Sequence, residues 1–289
     1  MPVKKILFPV DFSDQAQGAA RYAEALTKKF SAELVLFHVV EPLNFFGGAP
    51  EFGGPALTDA YASRKAYAHE KLSQFLAEEL AGDNVKRILV EGDPAREIVN
   101  YAHANDVDLI LMPSHGLGTF RRFIIGSVTA KVLHDAECPV WTSVHIEDAP
   151  PARELNFRRI VCAIDLGPQA PCAIQWAGEF AAAHDANLTL VHATPAVAAR
   201  PSKYLDGELS TALAHMAREE MEKLRDQANV KAAVYVEAGD PSAVVRKVAE
   251  ETEADLVVIG RGAVASGLGR LRAHSYAMIR QSPCPVVSV

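Results

Sequence analysis

The sequence predicts an α/β protein of two similar doubly wound domains, each a five-stranded, mostly parallel sheet flanked by helices. Three observations carry this. Short apolar runs alternate with helical patterns, the whole series occurs twice in the same order, and a proline-containing joint separates the two copies. Strand, helix, strand, helix in that order calls for parallel strands joined by right-handed crossovers.

The strands come from ILFPV (6–10), ELVLFHVV (33–40), KRILVE (86–91), DLILM (108–112) and PVWTSV (139–144). Each is rich in Val, Ile and Leu without polar alternation, the pattern of strands covered on both faces. Between them, residues 14–29 are alanine-rich and Ser13 can cap their start. Residues 60–80 predict a core-facing helix with Leu72, Phe75, Leu76 and Leu80 on one stripe. Gly92-Asp93-Pro94 reads as a helix start, with Asp as cap and Pro at the first position, where a missing N–H costs nothing. A last helix is expected over 128–134.

The repetition is explicit. KKILFPVDFS (4–13) returns as RRIVCAIDLG (158–167), and AELVLFHVVEP (32–42) as ANLTLVHATPA (186–196). VEGDPAREIVNYA (90–102) returns as VEAGDPSAVVRKVA (236–249), and VDLILMPSHG (107–116) as ADLVVIGRG (254–262). AECPVWTSV (136–144) returns as SPCPVVSV (282–289). A period of half the chain is too long for a solenoid and indicates a duplicated domain. The joint falls near IEDAPPAREL (146–155), dividing the chain into 1–148 and 149–289.

Composition narrows the function. The chain has 289 residues, 49% apolar and 22% charged, the balance of a soluble globular protein. A formal charge of -7 disfavours nucleic acid and anionic lipid as partners. No apolar run approaches a membrane span, and MPVKKILFPVDF reads as a first strand and not as a signal peptide, so the cytoplasm is the expected address. Cys138, Cys162, Cys172 and Cys284 form no CxxC pair and no zinc pattern; reduced, mostly buried thiols are expected, with Cys138 and Cys284 as small hydrophobes. His38 and His192 recur at the end of strand two without ligand-spaced partners, which favours packed or hydrogen-bonded histidines over a metal site.

Ligands of open parallel sheets bind beyond the carboxyl ends of the strands, where connections diverge. Two loops of the first copy are candidates: Pro9-Val10-Asp11-Phe12-Ser13, and the stretch after strand four, MPSHGLGTFRRFIIGSV (112–128). They meet if strands one and four are neighbours. Gly116 and Gly118 allow close backbone approach, and Gly126-Ser127 precedes a helix start, where unpaired N–H groups stabilise an anion. Arg121 and Arg122 add local positive charge. The same features also suit an ordinary turn and a solvated face. Neither GxxxxGK[ST] nor GxGxxG after strand one is present, so neither a P-loop nor a dinucleotide site is indicated.

At these residues the chain resembles the universal stress protein family in its tandem two-domain form, with an adenine nucleotide alpha hydrolase-like fold. Nucleotide-binding members carry Gly-x2-Gly-x9-Gly-[Ser/Thr] after strand four. Gly116, nine residues and Gly126-Ser127 match, whereas the first glycine position holds Pro113, which has no N–H to offer. The resemblance implies ATP as ligand, with Mg²⁺ accompanying it. It implies Pro9, Val10 and Val39 along the adenine, Asp11 on the ribose, and Met112 and Pro113 at the end of strand four beside the ligand. Gly116, Gly126, Ser127 and Val128 would hold the phosphates. It also implies that the terminal strands of the two domains pair about an approximate twofold axis, an intramolecular pseudo-dimer; a homodimer of such chains is left open. No catalytic residue and no protein metal ligand is assigned.

The second copy departs further. Counting back from CPV, Arg272-Ala273 stands where the first copy has Gly126-Ser127, so it is expected to bind nucleotide weakly or not at all, although Asp165 persists. Only the first copy carries NFFGGAPEFGGP (44–55), a candidate cover for the nucleotide or a contact for another chain, and equally a surface loop. The leading expectation is an ATP-binding stress-response or signalling module. A slow ATPase and a protein-interaction module without nucleotide remain as alternatives.

Overall fold

A computed structural model describes residues 3–42, 55–114, 125–143, 149–195, 203–261 and 273–289. The amino-terminal half runs β1 (Lys5–Pro9), α1 (Asp14–Phe30), β2 (Glu33–Val40), α2 (Pro55–Gln74), β3 (Val85–Glu91), α3 (Pro94–Ala104), β4 (Leu109–Leu111), α4 (Ser127–Asp135) and β5 (Val140–Thr142). The carboxy-terminal half repeats the series as β6 (Arg159–Ala163), α5 (Ala170–His184), β7 (Asn187–Thr194), α6 (Lys203–Gln227), β8 (Ala233–Ala238), α7 (Pro241–Glu251), β9 (Leu256–Ile259), α8 (Ala273–Gln281) and β10 (Val286–Ser288).

The strands form one sheet in the order β3-β2-β1-β4-β5-β10-β9-β6-β7-β8. Within each half the neighbours are parallel. The halves join through β5 and β10, which are antiparallel and centred on Trp141 opposite Val287. Pairing these two strands satisfies backbone groups that either half alone would leave at a bare edge. The doubly wound prediction therefore holds in each half, and the two sheets are continuous.

Apolar layers cover both faces. One contains Phe8, Leu26, Leu34, Leu72, Ile174 and Met221, under α1, α2, α5 and α6. The other contains Leu7, Val35, Ile98, Val132, Val245 and Ile279, under α3, α4, α7 and α8. At the junction, Trp141 lies edge-on to Phe157 at 5.4 Å, Phe157 to Phe180 at 5.5 Å, and Tyr22 is 5.8 Å from Trp141. These rings come from both halves and are buried, so removing one would strip core from both at once.

The local readings of the caps hold. Ser13 accepts the Ala16 N–H at 3.2 Å. Asp93 and Asp240 accept the N–H groups of Arg96 and Ala243, each at 3.0 Å, and Pro94 and Pro241 follow them. The predicted helix over 60–80 needs correction: α2 ends at Gln74, and Phe75 to Leu80 form turns in which Leu76 takes φ 47°. Leu72 and Leu80 are buried, and Phe75 and Leu76 pack against the same core. The apolar stripe was read correctly; its backbone was not, because a turn can bury the same side chains. The thiols also differ: Cys162 alone is fully buried, Cys138 and Cys284 are half-buried, and Cys172 is exposed. Burial pushes the Cys162 thiol up to about 12 and Cys138 to about 11.

Candidate functional site

β1 pairs directly with β4, Ile6 opposite Leu109 and Leu7 opposite Ile110. Their carboxyl ends therefore open side by side. β1 continues to β2 on one flank and β4 to β5 on the other. Of the helices that follow, α1 packs on one face of the sheet and α4 on the other. This divergence leaves a crevice at the strand ends, and the condition that the two candidate loops depend on is met.

The first loop is rigid for local reasons. Pro9 ends β1, and the buried Val10 donates its N–H to Phe37 O at 2.9 Å. The Val10 carbonyl accepts from His38 Nδ1 at 2.7 Å, which fixes the neutral His38 with its proton on Nδ1. Burial pushes the His38 imidazole below its ordinary range; Val10 O and the Asp11 carboxylate pull the other way, and Arg64 adds to the lowering. Asp11 Oδ1 accepts the Ser13 N–H at 3.1 Å and the Ser13 hydroxyl at 2.6 Å. Its other oxygen has no bond among the described residues, so one side of the carboxylate holds the turn and the other can meet a ligand.

Between them Phe12 takes φ 63°, a left-handed conformation costly for a side chain of that size, of order 1–3 kcal/mol. Its ring lies 4.5 Å from His38 and 6.0 Å from Phe75, which anchors the strained residue. Leu166 takes φ 56° at the same place in the other half. The composition of either loop did not signal this; the recurrence of Asp followed by a large apolar residue was the available sign.

The second loop is stitched to α4. Buried Met112 donates its N–H to Trp141 O at 3.0 Å, and Ser114 N–H to Ser143 O at 3.2 Å. The buried Pro113 offers its carbonyl to Thr129 Oγ1 at 3.1 Å. Gly126 caps α4 without any side-chain bond, and its own N–H donates to Ser114 O at 2.8 Å. That amide is engaged, so the donors left at the helix start are the N–H groups of Ser127, Val128 and Thr129, with the exposed Ser127 hydroxyl beside them. A helix start with open amides and a partial positive charge suits an anion. Val39 lies near the end of β2, opposite Val90, within the strand the sequence predicts. Gly116, Gly118, Arg121 and Arg122 lie outside the described residues, as does 44–54 of the candidate cover. Ser114 and Thr129, which fix the geometry, carried no sequence signal.

In the carboxy-terminal half, the ends of β6, β7 and β9 enclose a cavity of about 300 Å³ lined in part by Asp165, His192, Gly260 and Arg261. Asp165 accepts the Gly167 N–H at 2.9 Å and His192 Nδ1 bonds Ile164 O at 2.7 Å, repeating the first half. Both repeated histidines are thus hydrogen-bonded packing residues. Among the described residues no group of three or more His, Cys, Asp or Glu stands where it could hold a metal. None of their helices is long and apolar enough to cross a membrane.

The model of the universal stress protein family matches this chain twice, over residues 2–143 and 156–289. The chain belongs to the universal stress protein family. Universal stress protein MJ0531 of Methanocaldococcus jannaschii is 34% identical over 137 residues, 47% of this chain and 79% of that protein. A universal stress protein encoded in the QAH/OAS sulfhydrylase 3' region of Thermus aquaticus is 34% identical over 140 residues, again 47% of this chain and 96% of its own. Both correspond to one half here. A crystal structure of a universal stress protein from Archaeoglobus fulgidus aligns with a TM-score of 0.71 over 100% of this chain and 98% of that one, at 22% identity, a likeness of fold. This universal stress protein thus has the tandem arrangement its repeats announced.

Proposed function

We propose that the amino-terminal half binds an adenine nucleotide, ATP, and that the protein acts as a stress-response or signalling module whose state follows occupancy. The observation that carries this is the pairing of β1 with β4, which brings the Asp11 turn and the uncapped start of α4 to one crevice. In this reading Pro9, Val10 and Val39 flank the base, with Met112 and Pro113 at the end of β4. The free side of Asp11 accepts from the ribose. The Ser127 and Val128 amides and the Ser127 hydroxyl take phosphate oxygens, with Gly126 allowing close approach. Gly116, outside the described residues, would add to this cradle.

The donor set fits a phosphate. It consists of neutral amides and a hydroxyl at a helix start whose first turn carries no acidic residue. Among the described residues no group of three or more His, Cys, Asp or Glu could hold a metal, so in this reading Mg²⁺ enters as the phosphates' counter-ion, bringing charge neutralisation. No paired carboxylates or phosphate-motif lysine stand in the loops to drive fast turnover, so binding is favoured over catalysis.

The experiment is to denature the purified protein and chromatograph what is released. Released ATP supports the reading. ADP together with continuing phosphate release supports a slow ATPase. An empty protein that also fails to take up added ATP overturns the proposal in favour of a protein-interaction module.

A further inference from the structure

The half that has lost the phosphate motif holds a formed cavity. Three positions at the strand ends are smaller there than in the other half. Ala163 ends β6 as Pro9 ends β1, and each faces the equivalent residue of the next strand, Val191 and Phe37. Ala193 stands in β7 where Val39 stands in β2. Gly260 precedes Arg261 as Pro113 precedes Ser114; the N–H groups of Arg261 and Ser114 bond the equivalent carbonyls, Val289 O and Ser143 O. A Cβ built on Gly260 would meet only Ala173 Cβ, at an ordinary 3.8 Å. The space left is about 300 Å³, roughly the liquid volume of ten waters and at the lower end of small-molecule sites.

Its walls are mostly hydrocarbon: Ile164, Ala173, Val245, Ile259 and Met278 line it together with the small residues above. The polar lining mixes acceptors and donors, with Gln169 and Ser275 standing beside Asp165 and His192. His192 bonds Ile164 O through Nδ1, so the neutral ring presents Nε2 as an acceptor, while the Asp165 carboxylate already accepts the Gly167 N–H and contributes negative charge. The positive group of the lining is turned to other work. Arg261 is buried, with Nη1 on Ala136 O at 2.8 Å and Nη2 on Cys138 O at 2.5 Å, both carbonyls of the first half. His274 stands 3.8 Å from the Asp240 carboxylate. Ala273, at the start of α8, has no hydroxyl where Ser127 has one. An anion entering here meets the Asp165 carboxylate and a guanidinium already bonded to two carbonyls. A compact, uncharged molecule with a hydrogen-bond donor finds apolar walls and a partner for that donor.

We infer that the cavity at the ends of β6, β7 and β9 is a binding site for a small, uncharged, mainly apolar ligand carrying a hydrogen-bond donor, so that the two halves take different classes of molecule. The site requires nothing of the nucleotide crevice, and its test stands or falls separately from the nucleotide proposal.

The full chain is titrated with N-phenyl-1-naphthylamine, a neutral aromatic amine whose fluorescence rises in apolar surroundings. The expected result is saturable binding of one probe per chain, which persists in saturating ATP and raises the melting temperature. Ala193→Phe and Gly260→Val, each filling the cavity from a different strand end, weaken the probe about tenfold or more while keeping the wild-type circular dichroism spectrum. The inference is overturned if the wild-type chain shows no saturable binding, if both variants bind the probe as the wild type does, or if ATP displaces the probe, which would make the cavity a second nucleotide site.

Discussion

The two halves of this universal stress protein share their strand order, their Gly-Asp-Pro helix caps and even a left-handed residue after the strand-one aspartate, yet the residues at their strand ends differ. In the amino-terminal half, α4 begins at Gly126 with no side-chain cap and with Ser127 beside the open amides. In the carboxy-terminal half, Ala273 begins α8, Gly260 replaces Pro113, and Arg261 replaces the buried Ser114 and reaches across to carbonyls of the first half. Duplication kept what the fold needs twice. It left the residues at the strand ends free to diverge, since those are not required for packing.

The sharpest way to break this contrast is to write the second half's residues into the first. Gly126→Arg combined with Ser127→Ala should weaken ATP about 100-fold, about 2.7 kcal/mol, by titration calorimetry. Gly126 has φ -60°, so a side chain meets no conformational barrier there. Unchanged affinity would mean the helix start is not the phosphate site. A smaller effect sharpens the role of the strand-one aspartates. Asp11→Asn keeps an acceptor for the Ser13 turn but loses the charge, and should weaken ATP about tenfold. Asp165→Asn should leave ATP affinity at the wild-type value.

Elements that serve only the fold should respond alike in both halves. Asp93→Ala and Asp240→Ala each remove a helix cap with proline at the next position, and each should cost about 1 kcal/mol in urea unfolding. A large difference between them would mean that one Gly-Asp-Pro turn does more than start a helix. The smallest expected effect is a pH dependence. Burial lowers the folded-state pKa of His38 beneath its ordinary 6.5. As pH falls below 6.5 the unfolded chain takes up this proton before the folded one does. The stability His38 contributes is therefore complete above pH 6.5 and declines through the window beneath it. His38→Gln, which keeps a donor for Val10 O, should flatten that decline in thermal melts between about pH 5 and about pH 7.

Much of this was legible in the chain itself. The strands declared themselves as unalternating Val, Ile and Leu runs, while the β5–β10 pairing came from the resemblance to the family. Asp93 and Asp240 were readable as caps because the cap, its proline and the helix start are adjacent in sequence. What the sequence hid was set by contacts between distant segments. Phe12 is held in its left-handed conformation by His38 and Phe75, and Gly126 loses its amide to Ser114. The extent of α2 was missed because Phe75, Leu76 and Leu80 have the spacing of a helix while lying in turns. The cavity of the second half is lined at three strand ends by the small residues Ala163, Ala193 and Gly260, which mean little until the strand ends are seen together.

The difference between the halves is tested most directly by the stoichiometry of ATP on the intact chain, measured by equilibrium titration with nucleotide-free protein. One ATP per chain, abolished by Gly126→Arg with Ser127→Ala, is the result predicted here. Two per chain, or one that survives that double substitution, would contradict it.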